Sequence, residues 1–243
     1  MGHQLCIDLG NTKGKAAIFE NNELLNAFQF ETSEVVTSIQ DIIATYAPEK
    51  AILSSVINHP EALNNLLNDN IKKVIVLNNE TRLPIVNAYS SPETLGMDRI
   101  ALVAAANHLH PENDNLVICM GSATTYNFIA KNRFFRGGAI APGVGMRFSA
   151  LNDYTDKLPL VNPKGELLLI GYDTESSIRS GVLFGVKAEV EAMIEQYQQK
   201  YPNIVISITG GYYPYFDFKV KNQIFADAHL LLKGLNIILN YNA

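Results

Sequence analysis

The sequence predicts a duplicated α/β fold, and three observations carry that prediction. A strand–turn–strand unit stands near the start, a second follows about 110 residues later, and strands alternating with helices come after each. In the first unit, Leu5-Cys6-Ile7-Asp8 is a short apolar run that passes through Gly10-Asn11-Thr12 and returns as Lys15-Ala16-Ala17-Ile18-Phe19. In the second, Leu116-Val117-Ile118-Cys119 passes through Gly121-Ser122-Ala123-Thr124 and returns as Thr125-Tyr126-Asn127-Phe128-Ile129. An apolar strand, a turn of glycine and small hydroxyl residues, and a returning strand form a hairpin that offers N–H groups and hydroxyls to an anion.

The elements follow in order. Leu24–Phe30 predicts a third strand. Val35, Val36, Ile39, Ile42 and Ile43 fall on one face of a helix over Ser33–Tyr46, with Ser33 as its N-cap. Ala51–Val56 reads as a buried strand, Pro60–Leu67 as a helix and Val74-Ile75-Val76-Leu77 as a strand. An irregular stretch through Pro84 and Pro92 leads to a helix from Gly96-Met97-Asp98 to about His108. The polar run from His110 to Asn115 marks a boundary. The second half repeats the plan, with a third strand around Arg133–Ile140, a glycine-rich loop from Gly137 to Gly145 and a helix near Met146–Leu151. A short strand is expected at Glu166–Ile170. Ile178, Val182, Val186, Val190 and Ile194 then recur every four residues in a helix from about Ser176 to Gln199. Ile204–Ile208 reads as a strand ending in Thr209-Gly210-Gly211, and Leu230–Leu239 as a closing helix. This succession predicts two ribonuclease-H-like halves, residues 1–112 and 113–243, of the actin-like ATPase and sugar-kinase architecture, with a nucleotide cleft between them.

Composition narrows the function. The 243 residues are 47% hydrophobic and 18% charged, with a formal net charge of -5, so no basic stripe is available to neutralise a nucleic acid. Lys131-Asn132-Arg133 with Arg136 is the most basic stretch and reads as a hairpin turn. No run approaches the roughly 18 apolar residues of a membrane span, and Met1-Gly2-His3-Gln4 lacks the pattern of a leader. Cys6 and Cys119 each end an apolar strand and read as buried reduced thiols, which fits a cytoplasmic protein. His3, His59, His108, His110 and His229 lack metal-ligand spacing.

Two glycine turns at matching places predict a polyphosphate gripped from both sides, and so an ATP-dependent phosphoryl transferase. Asp8 is placed at a strand end to hold hydrated Mg²⁺, which takes one or two carboxylates plus phosphate oxygens and waters. Gly10 admits the phosphates to the backbone, Asn11 and Thr12 add donors, and Lys15 supplies a point charge. Asp98 at a helix start is a candidate general base for a substrate hydroxyl, with Arg99 as an anion contact. Thr209-Gly210-Gly211 fits a turn on which an adenine ring lies flat. A tight hairpin with a capping Asp at residues 8–15, an Asp favouring a helix dipole at 98 and a plain turn at 209–211 are the structural alternatives.

With these motifs in order, the chain resembles the type III pantothenate kinases of the acetate-kinase/sugar-kinase/Hsp70/actin superfamily. Asp8-x-Gly10-Asn11-Thr12-x-x-Lys15 resembles the family's first phosphate motif, and Gly96-x-Asp98-Arg99 its substrate and catalytic motif. Gly137-Gly138-x-Ile140-x-Pro142-Gly143 resembles its glycine-rich segment and Thr209-Gly210-Gly211 its adenosine motif. The resemblance implies phosphorylation of the 4′-hydroxyl of pantothenate by Mg-ATP, the first step towards coenzyme A. Asp98 would be the base; Gly96, Met97, Arg99 and Thr174 would contact pantothenate. Gly121 and Ser122 would serve the phosphates. It also implies a homodimer and a monovalent cation, K⁺ or NH₄⁺. The second motif departs from the family's Asp-x-Gly-Thr-Ala-x-Thr-x-Asp: Cys119 stands at the aspartate associated with the cation, Ser122 at the threonine and Asn127 at the last aspartate. K⁺ prefers oxygen to a neutral thiol, so activity with weak or altered K⁺ dependence is expected. A kinase for another small hydroxy acid and a non-catalytic nucleotide-binding regulator are the competing readings.

Overall fold

The structure is a computed structural model and describes residues 2–220 and 223–242. In chain order the elements begin β1 (Gln4–Leu9), β2 (Lys13–Glu20), β3 (Glu23–Glu31), α1 (Val35–Tyr46), β4 (Lys50–Ser55), α2 (Glu61–Asn70), β5 (Lys73–Val76), β6 (Val86–Asn87) and α3 (Met97–Leu109). They continue β7 (Asn115–Met120), β8 (Ala123–Ile129), β9 (Phe134–Pro142), α4 (Val144–Asp153), α5 (Thr174–Lys200), β10 (Val205–Thr209), β11 (Ile224–Ala226) and α6 (Leu230–Tyr241). Among the described residues no helix is long and apolar enough to cross a membrane.

The first sheet has the order β3-β2-β1-β4-β5, with β1 antiparallel to β2 and parallel to β4. Leu5 to Leu9 are buried because β1 lies inside the sheet, which is why they read as an unbroken apolar run. Val35, Ile39, Ile42 and Ile43 of α1 pack with Leu5, Ile7, Leu9 and Ile18 in one core. The second sheet runs β11-β10-β7-β8-β9-β6. Its segment β9-β8-β7-β10-β11 repeats the connectivity of β3-β2-β1-β4-β5, and β10 is parallel to both β7 and β11. The duplicated fold is therefore present as two sheets of like order.

Several boundaries differ from the sequence reading. Ser33 does not cap α1: Thr32–Glu34 form a 3₁₀ turn, and Glu34 takes the N-cap position without a side-chain bond. Most of the expected glycine-rich loop is strand, since β9 runs on to Pro142; Gly137 and Gly138 take φ of 97° and 149° within it. A Cβ at Gly138 would collide with the Tyr126 carbonyl, so the strand continues only where a glycine allows that approach. No strand forms at 166–170; Leu169 and Ile170 are 74% and 84% exposed, and the Leu169 carbonyl accepts from Ser180 Oγ at 2.8 Å. Cys6 is buried but Cys119 is only half-buried, and neither is in a disulfide.

The chain divides into two compact units, one of residues 1–112, 129–136 and 229–243, the other of 113–128 and 137–228. The linear division at 112/113 is thus redrawn for two segments. The closing helix α6 belongs with the first unit because it packs on α3, β1 and β4. Every residue of α3 from Arg99 to Asn107 is buried. Gly234 of α6 makes that possible, since a Cβ there would collide with the Ala101 carbonyl. The outer end of β9 also joins the first unit, where β6 pairs with it in parallel, Val86 opposite Phe134 and Asn87 opposite Phe135.

Candidate active site

In the first unit the hairpin of β1 and β2 sets Asp8 opposite Lys15, and the parallel pairing of β1 with β4 sets it beside Ser54. Asp8 is 8% exposed, and Ser54 Oγ donates to its Oδ1 at 3.0 Å. Burial pushes the Asp8 carboxyl up to about 7, and the charge of Asp98 adds to that rise. The Ser54 hydrogen bond and the Lys15 charge oppose it. The turn beyond is closed by Gly10 N–H donating to Lys13 O at 3.2 Å, with Asn11 and Thr12 exposed at its tip.

Gly96 caps α3 in extended conformation, and Arg99 N–H donates to Gly96 O at 3.1 Å. Asp98 is therefore in the first helical turn, half-buried. Burial raises its carboxyl above the ordinary value, opposed by the backbone N–H groups of Arg99 and Asp98 and by the Arg99 guanidinium. Next to these groups lies a cavity of about 620 Å³ lined by Asn11 from the turn, Ser55 and Asn58 after β4, and Glu93, Gly96 and Met97 before and in α3. Arg99 itself is 5% exposed, its guanidinium 5.5 Å from the Tyr89 ring and 5.7 Å from the Phe135 ring.

In the second unit three glycine segments converge on the second turn. Gly121 N–H donates to Ala123 O at 3.1 Å, closing it. Gly143, the N-cap of α4, lies so close that a Cβ there would be 2.6 Å from Gly121 O and nearer still to Ser122 O. Gly210, at φ 104°, packs on Met120, where a Cβ would sit 2.6 Å from its nitrogen, and Tyr212 N–H donates to Met120 O at 3.1 Å. Thr209 is buried at the end of β10, in register with Cys119, while a Cβ at Gly211 would meet only open space. Thr174 is the first residue of α5, exposed, after an Asp173–Ser176 capping box. It lines a separate cavity of about 1140 Å³ with Arg147, Tyr154 and Tyr172.

The sequence is matched outside this chain over nearly its whole length. A sequence profile described as type III pantothenate kinase matches residues 4–196. The type III pantothenate kinase of Phocaeicola vulgatus is 43% identical over 238 residues, 98% of each chain. That of Christiangramia forsetii is 41% identical over 239 residues, again 98% of each. The chain belongs to the type III pantothenate kinase family. Among solved structures, a Baf-family protein from Campylobacter jejuni is similar at a TM-score of 0.59 with 21% identity over 98% of each chain. A ROK-family glucokinase from Streptomyces griseus, solved with glucose and AMPPNP, is similar at a TM-score of 0.55 with 11% identity over 99% of each chain. These two likenesses concern the fold, which is that of the actin-like ATPases and ROK sugar kinases.

For this type III pantothenate kinase family member, the structure gathers Asp8, Asn11, Lys15, Gly96, Met97, Asp98 and Arg99 on one unit. Cys119, Gly121, Ser122, Thr209, Gly210, Gly211 and Thr174 are on the other. Sequence reasoning missed Ser54, Tyr89 and Phe135. The first reads as an ordinary strand serine, and the other two lie 46 residues apart in chain order with no shared motif.

Proposed function

We propose that the chain transfers the γ-phosphoryl group of ATP to the 4′-hydroxyl of pantothenate, the first step of coenzyme A biosynthesis. The observation that carries this reading is the pair of carboxylates with raised proton affinity, buried Asp8 and half-buried Asp98, held on one unit beside a cavity of about 620 Å³ that Asn11, Gly96 and Met97 line. Asp98 acts as general base. Its raised carboxyl accepts the hydroxyl proton more readily than an ordinary aspartate, while two backbone N–H groups and the Arg99 charge oppose that rise. The substrate oxygen forms a bond to the γ-phosphorus as the bond to the β-phosphate oxygen breaks, and the proton passes to Asp98.

Gly10, Asn11, Thr12 and Lys15 hold phosphates, as do Gly121 and Ser122, and Thr209, Gly210 and Gly211 take the adenosine. Gly96, Met97, Arg99 and Thr174 contact pantothenate. The Asp8 carboxylate fits Mg²⁺ held through water, because a divalent cation offsets both the burial and the repulsion from Asp98 that push Asp8 towards neutrality. When bound, Mg²⁺ neutralises charge on the β- and γ-phosphate oxygens.

The residues around Cys119 do not fit a monovalent cation. Sulfur replaces oxygen there, and the Asn127 amide donates to Val117 O at 3.2 Å and Thr125 Oγ1 at 3.0 Å inside the sheet. The proposed reaction therefore has weak or altered dependence on K⁺.

A cytoplasmic homodimer completes the proposal. The exposure of Leu169, Ile170 and Tyr172 just before α5 supports a covering copy, as apolar surface of that kind marks interaction faces. The formal net charge of -5 supports small-molecule substrates rather than nucleic acid. The deciding experiment is ADP release from Mg-ATP with and without pantothenate, for wild type and Asp98→Asn. Pantothenate-dependent release that falls about 10²- to 10⁴-fold in the variant supports the assignment. ATP binding without turnover in the wild type would instead identify a nucleotide-binding regulator.

A further inference from the structure

The two rings against Arg99 take no part in the chemistry above, and the geometry points to Phe135 as a positioning residue that presets the Arg99 guanidinium for the carboxylate of the substrate. This rests on Arg99 being the anion contact.

Phe135 lies on β9 with no exposed surface, and Tyr89 is half-buried beside it. Their ring planes are within 11° of parallel with centroids 6.1 Å apart. The guanidinium carbon of Arg99 is 5.5 Å from one centroid and 5.7 Å from the other, so three planar groups share one small site. A guanidinium is planar and weakly hydrated, which suits it to lie on aromatic faces, and the attraction strengthens when water is excluded. Arg99 is 5% exposed, so its charge is largely stripped of water before any ligand arrives. The rings supply part of what hydration no longer gives.

The backbone fastens the same place. Val86 N–H donates to Arg133 O at 2.9 Å and Ala88 N–H to Phe135 O at 3.0 Å, while Tyr89 N–H donates to Asn87 Oδ1 at 3.1 Å. Phe135 thus holds the residue before Tyr89 through its carbonyl, and Tyr89 and Arg99 through its ring. This accounts for a parallel pairing as short as β6, with two residues. A long side chain immobilised before binding loses no rotamer freedom when the substrate arrives, so the effect belongs in substrate affinity.

The test is steady-state kinetics of Phe135→Leu and Phe135→Tyr, alone and in an Arg99→Gln background. Removing one aromatic face from a desolvated guanidinium should raise the KM for pantothenate by about threefold to tenfold, with kcat and the KM for ATP within about twofold. Phe135→Tyr, which keeps the ring, should restore the wild-type KM. In Arg99→Gln the further substitution Phe135→Leu should change KM by less than about twofold, because a positioning effect disappears with the group it positions. An unchanged KM in Phe135→Leu, or the same increase in both backgrounds, would overturn the inference. Arg99→Gln with an unaltered KM would remove the anion-contact reading itself, and this inference with it. Thermal melting of each variant reports folding, and Phe135→Met, whose unbranched side chain adapts to irregular gaps, replaces Phe135→Leu if that protein does not fold.

Discussion

Ser54 and Asp8 are direct neighbours across parallel strands β4 and β1, and the serine hydroxyl donates to the aspartate at 3.0 Å inside the sheet. With Ser54 fully buried and Asp8 nearly so, this bond and the Lys15 charge are what hold the carboxyl down against burial and Asp98. Ser54→Ala removes one of the two, so Asp8 should ionise at higher pH than its present value of about 7. The acidic limb of kcat/KM for Mg-ATP should then move up in pH. The loss should be near tenfold at pH 6.5 and small at pH 9, given about 1.5–3 kcal/mol for a hydrogen bond to a charged group. A pH–rate series of both proteins checks it, and superimposable acidic limbs would exclude Asp8 as the titrating group.

Asp8 also costs the unliganded protein stability. Its folded carboxyl at about 7 lies above the ordinary 3.8, so the folded state binds the proton more tightly than the unfolded one. Stability from this group is therefore full below about pH 4 and is lost as pH rises through 7. Asp8→Asn should raise Tm at pH 8 and leave it nearly unchanged at pH 4, while abolishing Mg-ATP turnover. Calorimetry at the two pH values, without nucleotide, tests the sign.

The second turn depends on a glycine that contributes no side chain. Gly143→Ala would press a methyl group against the carbonyls of Gly121 and Ser122, neither of which can yield without opening the turn. The KM for ATP should rise by about tenfold or more with a loss of about 1–3 kcal/mol in stability, while the KM for pantothenate changes little. Kinetics with each substrate varied in turn separate these effects.

Cation dependence gives a fourth test. With sulfur at Cys119, initial rates in K⁺, NH₄⁺ and a large organic cation should agree within about twofold at equal ionic strength. Strict dependence on K⁺ would show that oxygen donors elsewhere hold the ion.

Much of this arrangement was legible in the sequence because local chemistry wrote it there. The strand-turn-strand of Leu5 to Phe19, the helix start at Gly96-Met97-Asp98 and the four-residue apolar period from Ile178 to Ile194 each act over a few residues. The rest depended on distant partners. Ser33 is capping-competent but was drawn into a 3₁₀ turn by the exit from β3. Apolar Leu167 to Ile170 has strand composition but stays irregular, with the Leu169 carbonyl bonded to Ser180 of α5 rather than to a strand. Gly143, Gly210 and Gly234 each accommodate a carbonyl or backbone from 21 to 133 residues away, and nothing around them in sequence announces it. Asp98 and Arg99 were singled out from motif alone, but the rings beneath Arg99 come from β9 and from the segment after β6.

The packing of α6 on α3 has a consequence for how the protein is made. Residues 97–109 leave the ribosome early, yet the face of α3 that meets Gly234 stays bare until residues 230–241 have been synthesised. At about 5–20 residues per second that interval is on the order of ten seconds. The first unit is therefore finished last, and the long apolar helix that carries Asp98 depends on its nascent neighbours, or on a chaperone, to stay out of trouble until then.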